Sequence, residues 1–247
     1  MSQGVKIIIG IKSQLVEILQ SEKPQEESIF IDGAVMVNFR PPHKPITFEA
    51  YANDVILPYI KSQANKCSRV DIIFDAYLEN SLKSQTRKER GTGIRRKVVG
   101  SGMTPKSWNN FQRVSENKTE LFSFLAERIA SLNPSKSVCV TQGEHVLCNN
   151  NIDLSGLCPC NHDEADTRLF VHLKHAAIKV LKTSLVVSTD TDVVVLAISM
   201  FAKLEIDKLW IAFGEGKDLR WIPIHEISNA LGPRALGLPF FPCVYWL

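Results

Sequence analysis

No stretch of this chain approaches the roughly 20 consecutive apolar residues that a membrane-crossing helix needs, so no membrane partner is expected. Neither sign of charge dominates: 29 Lys and Arg face 26 Asp and Glu, a net charge of +3 that names no partner by itself. There is no G-x-S-x-G nucleophile elbow and no phosphate-binding P-loop, which leaves serine-hydrolase and P-loop chemistry without support. A C-x-x-C pair is missing too, and the start has no small-residue cleavage site after its apolar patch. The six cysteines therefore read as reduced thiols of an intracellular protein.

What is present is an alternation of short apolar runs with helical patterns. SIFID, VDIIF, KSVCVTQ and SLVVST read as strands, and TFEAYANDVILPYIKSQAN, NKTELFSFLAERIASL, HDEADTRLFVHLKHAAIKVL and TDVVVLAISMFAKL as helices. LWIAF and LRWIPI, separated by GEGKD, predict a hairpin, and HEISNALG a short closing helix. Val5, Ile8, Ile9, Leu15 and Ile18 mark one face of an amphipathic helix near the start. The expectation is an α/β fold with a mostly parallel central sheet flanked by helices. It forms one domain over 1–247, with residues 78–105 as a basic insertion over the sheet edge.

Six carboxylates sit where strands stop or helices begin: Asp32, Asp75, Glu164, Asp166, Asp190 and Asp192. An Asp-Gly after a strand is ordinarily a turn former, and acids in the first turn of a helix ordinarily complement its dipole. As a set they carry more weight, because parallel topology gathers strand ends at one edge. Carboxylates gathered there repel one another unless a cation lies between them. Hard ions such as Mg²⁺ or Mn²⁺ prefer oxygen ligands of this kind, and a pair of them suits phosphoryl transfer.

Seven basic residues follow Asp75: Lys83, Arg87, Lys88, Arg90, Arg95, Arg96 and Lys97, against Glu89 alone. Such a run is commonly solvated surface or a nuclear localisation signal, hence an expected nuclear location. Beside an acidic edge it could also hold a DNA or RNA backbone. Trp108 and Phe111 beyond it could stack on bases, with core packing the more ordinary role. Cys158, Cys160 and His162, with Cys148 upstream, form a competing zinc constellation, but their C-x-C-x-H spacing and the missing second half make zinc the weaker expectation.

The order of these pieces resembles the flap-endonuclease branch of the PIN-like nucleases. FIDG with Asp32, IIFDAY with Asp75, the basic stretch after it, Glu164-Ala165-Asp166 and Ser188-Thr189-Asp190-Thr191-Asp192 carry the resemblance. FDAYLENSLKSQTRKERG, CNHDEADTR and DTDVVVLAI also resemble a large set of multicopy animal proteins of a kind associated with mobile elements. The nuclease resemblance implies two divalent ions on the six acids, hydrolysis of DNA or RNA by metal-bound water, and a basic arch that holds the strand. The family carries a further acid in a Gly-Cys-Asp segment, where this chain instead reads PCVYWL. One choice of codons for that tail becomes His-Ala-Phe-Thr-Gly-Cys-Asp after a single-base deletion. Residues 242–247 are therefore expected to be an aberrant tail, and activity to be impaired. The alternatives are an inactive nucleic-acid-binding module and a zinc-stabilised interaction domain.

Overall fold

A computed structural model describes residues 25–76, 93–133, 135–160, 162 and 165–240. The amphipathic start, most of the basic insertion (Lys83, Arg87, Lys88 and Arg90 included), Glu164 and the 242–247 tail lie outside the described residues. Within them stands a seven-stranded sheet: β1 (Ser28–Asp32), β2 (Arg69–Ile73), β3 (Ser137–Gln142), β4 (His145–Cys148), β5 (Thr183–Ser188), β6 (Lys208–Phe213) and β7 (Arg220–Pro223). Their order is β4-β3-β2-β1-β5-β6-β7, parallel in the centre and antiparallel only where β4 and β7 close the two edges. The expected α/β class is what is observed.

Burial on both faces explains why the central strands are largely apolar rather than alternating. Ile29 and Ile31 of β1 face one core, shared with Val70, Ile72, Val138 and Val140. Phe30, one residue out of phase, faces the other, with Ile73, Val186 and Ile211. The first core is covered by α1 (Gly33–Phe39), a helix in two segments (α2, Phe48–Tyr51, and α3, Leu57–Ala64), α4 (Trp108–Gln112) and α5 (Ser115–Ala130). The second is covered by α6 (Ala165–Ile178), α7 (Thr191–Leu204) and α8 (Ile224–Leu231).

Local chemistry accounts for the helix boundaries. Thr47 caps α2, its Oγ1 accepting from Ala50 N at 3.1 Å. Between α2 and α3 the ladder widens to a π-helical turn over Ala52–Ile56, and Pro58, which has no N–H to donate, sits just beyond it in the first turn of α3. Asp32-Gly33 is not a turn: Asp32 caps α1, and Gly33 is its first residue. The glycine is demanded by space, since a Cβ there would stand 2.2 Å from the Phe74 ring.

The sequence reading also missed β4. Its register sets Cys139 opposite Cys148 with Cα atoms 4.2 Å apart, and the two form a disulfide. This corrects the expectation of reduced thiols for that pair, while Cys67, Cys158 and Cys160 are free.

Candidate metal and nucleic-acid site

β2, β1 and β5 are adjacent and parallel, so their carboxyl ends open on one edge. Asp32 is the last residue of β1; Asp75 follows the end of β2 by two residues, and Asp190 follows the end of β5 by two. Asp32 is buried, and its Oδ1 accepts from Ala34 N at 2.9 Å and Val35 N at 3.1 Å. Burial pushes the Asp32 carboxyl up to about 7; the hydrogen bond from Val35 opposes this, and the charges of Asp75 and Asp190 add to it. Asp75 and Asp190 thus each stand within electrostatic range of Asp32.

Asp75 is half-buried and accepts from Ala165 N at 2.8 Å, capping the start of α6 from another strand end. Asp166 lies in the first turn of that helix, half-buried. Asp190 caps α7, its Oδ1 accepting from Asp192 N at 2.8 Å, and both of these side chains are exposed. Asp32, Asp75 and Asp190 are thus brought together, Asp166 enters on the helix that Asp75 caps, and Asp192 stands on the solvent side. Among the described residues, no group of three or more His, Cys, Asp or Glu side chains is placed so that it could hold a metal ion. The donor set is all oxygen, which is the chemistry of a hard cation, and a cation there would offset the like charges that help raise the Asp32 carboxyl to about 7.

One cation is built into this edge. Arg168 of α6 is buried, and its Nη1 donates to Phe74 O at 3.4 Å. Burial lowers its pKa, while Cys160, Asp75 and Glu144 act in the opposite sense. Among the described residues, its Nε and Nη2 have no hydrogen-bond partner.

Beneath the edge lies a network that the sequence reading did not single out. Asp71, in the middle of β2, is fully buried and accepts from Arg69 Nε at 2.7 Å, Arg69 Nη2 at 2.6 Å and His172 Nδ1 at 2.6 Å. Burial alone would raise the Asp71 carboxyl, but the Arg69 charge and the His172 hydrogen bond hold it at about 2. Arg69 Nη1 donates to His175 Nδ1 at 2.8 Å, so the Nε2–H of His175 donates to Asp153 O at 2.9 Å. Burial, and then the Arg69 charge, lower the His175 pKa. The sequence held only the spacing, Arg69 and Asp71 two apart on a strand and His172 and His175 three apart on a helix, which sets each pair on one face without showing that the two pairs meet. The network holds α6, and with it the first-turn acid, against β2.

Of the basic stretch, Arg95, Arg96 and Lys97 are described, and all three are exposed. Arg95 is paired with Glu120 and donates to Asn117 Oδ1 at 3.0 Å, and Arg96 Nη1 donates to Met103 O at 3.0 Å. The far end of the insertion is therefore fastened along α5, with Val98 N donating to Glu120 Oε2 at 2.8 Å. Trp108 and Phe111 are core residues, their rings stacked 5.1 Å apart, and they offer no surface for bases. In the zinc constellation, Cys148 is tied to Cys139 and His162 is exposed, which takes a thiolate out of that ligand set. No helix among the described residues is long and apolar enough to cross a membrane. No protein-family model and no curated protein matches the chain.

Proposed function

We propose that this chain is a metal-dependent nuclease that hydrolyses phosphodiester bonds of DNA or RNA. The observation that carries the reading is the convergence of Asp32, Asp75 and Asp190 at the ends of three adjacent parallel strands, with the Asp32 carboxyl raised to about 7 by burial and its neighbours' charges. Mg²⁺ or Mn²⁺ held there would supply activated water and offset charge on the leaving oxygen. In this reading Asp32, Asp75 and Asp190, with Glu164, Asp166 and Asp192 around them, hold the ions. Asp75 also caps the start of α6, the helix whose first turn carries Asp166. The basic stretch from Lys83 to Lys97 would hold the strand by its phosphates without reading sequence. A second reading, a binding module without catalysis, is favoured by the exposure of Asp190 and Asp192, which leaves the site open on one side.

The deciding experiment is cleavage of labelled single-stranded and flap DNA and RNA with Mg²⁺ or Mn²⁺. The expected result is metal-dependent cleavage that falls at least a hundredfold in Asp190→Ala and disappears in chelator. Salt-sensitive binding without cleavage in any metal would establish the binding module instead. If the protein neither binds nor cuts, both readings fail.

A further inference from the structure

Among the described residues two arginines are buried, Arg69 and Arg168, and they differ in what their guanidinium groups hold. Each carries the same fork, the Nε–H and an Nη2–H that point in parallel from one side of the planar group. Arg69 fills its fork with a carboxylate: Nε donates to Asp71 Oδ1 at 2.7 Å and Nη2 to Asp71 Oδ2 at 2.6 Å. The Arg168 fork is empty, since neither Nε nor Nη2 has a hydrogen-bond partner among the described residues, and the side chain is 1% exposed. Its Nη1 donates to Phe74 O, and that bond is long, at 3.4 Å.

A buried cation with neither water nor a counter-ion on its donors is costly, and the geometry of the fork says what would satisfy it: an anion with two oxygens side by side. Position narrows the choice. Phe74 directly precedes Asp75, and Asp75 caps the first turn of the helix on which Arg168 stands. The fork therefore belongs to the carboxyl edge, within electrostatic range of Cys160, Asp75 and Glu144. Asp75 and Glu144 repel any anion that approaches, unless a divalent ion stands among the acids. A terminal phosphate has oxygens for the fork and for such an ion at once, whereas a carboxylate has only the two that the fork takes.

We propose that Arg168 is an oxyanion site, taking two oxygens of a terminal phosphate group on its empty Nε–Nη2 fork. Shielded from water, the two parallel charge-assisted bonds face little competition from solvent. The choice of phosphate over carboxylate rests on the metal-dependent nuclease reading; the anion site itself rests on the fork. Hydrolysis of a phosphodiester leaves a terminal phosphate on one of the two new ends, so the site would hold the phosphate end of a nucleic-acid strand.

Thermal unfolding of the full chain tests the proposal, titrated with inorganic phosphate in Mg²⁺ at constant ionic strength, with Arg168→Lys and Arg168→Met beside the wild type. Phosphate should raise the wild-type midpoint and bind at least tenfold more tightly than to Arg168→Lys, which keeps the charge but loses the fork. The midpoint of Arg168→Met should not move with phosphate. Without phosphate, Arg168→Met should unfold at or above the wild-type temperature, because it removes a buried charge that no carboxylate compensates. A midpoint well below the wild type would show that a carboxylate of the chain itself fills the fork, and overturns the proposal. Equal phosphate shifts in all three proteins, no shift in the wild type, or acetate binding as tightly as phosphate overturn it too. A 5′-phosphorylated oligonucleotide should displace phosphate at least tenfold better than the same oligonucleotide without its phosphate. Displacement by neither would overturn the assignment to a strand end and leave free phosphate as the ligand. Cleavage is scored separately, so Arg168-dependent phosphate binding by a protein that cuts nothing would sink the nuclease reading and keep the site.

Discussion

At the scale of single residues, the informative group is Asp32. Its carboxyl is raised from 3.8 to about 7, first by burial and then by Asp75 and Asp190. A group whose pKa rises on folding contributes stability that is complete below its unfolded value and is lost as pH rises through the folded value. In chelator, the unfolding free energy of Asp32→Asn should therefore exceed that of the wild type by an amount that grows between pH 4 and 7. It should level off above that, at a gap of about 4 kcal/mol. The asparagine Oδ1 still accepts from Ala34 and Val35, so the cap of α1 survives. Urea titrations across that pH range make the check, and a gap that does not change with pH would show Asp32 to be an ordinary carboxylate. The sequence placed Asp32 at a strand end, but its burial and its neighbours' charges belong to the assembled edge.

At the scale of elements, α6 is the piece on which the site depends. Asp75 caps it, Asp166 rides on its first turn, and His172 and His175 fasten it to β2 through Asp71 and Arg69. Asp71→Ala removes one partner from a buried charge network and leaves Arg69 without its carboxylate. A loss of about 3–5 kcal/mol is expected from denaturant unfolding. A loss under about 1 kcal/mol would mean that the network does not fasten the helix. The network also gives acid sensitivity a definite sign. His175 is kept neutral by burial and Arg69, so the unfolded chain binds the extra proton, and stability should fall as pH drops below 6.5. Asp71 adds a second loss between 3.8 and about 2. The helix itself was legible from its apolar spacing. Its anchors were not, because an Asp within a run such as VDIIF acquires its meaning only when another element brings His172 and Arg69 supplies the countercharge.

At the scale of the whole molecule, the parallel order separates two edges. The carboxyl edge gathers the acids, and the opposite edge holds a cavity and the exposed Ile178 and Val180. If the acids bind a divalent ion, Mn²⁺ at a hundredfold excess over its Kd should add about 2.7 kcal/mol to stability. Asp75→Asn, which keeps an acceptor for Ala165 N, should lose most of that gain. Equal stabilisation of wild type and variant in calorimetry would place the ion elsewhere.

The α/β class, the run of alternating strands and helices, the hairpin at the end and the acids at strand ends were all determined by the sequence alone. Apolar period and capping chemistry are local properties, readable within a window of a few residues. Tertiary structure decided which ends meet. It set Asp32 between Asp75 and Asp190, buried Trp108 and Phe111, paired Cys139 with Cys148 across a hairpin that no apolar pattern announced, and enclosed Asp71. Each of these rests on the order of strands and on partners far apart in the chain, and their energies come from burial and charge proximity that exist only once the sheet is assembled.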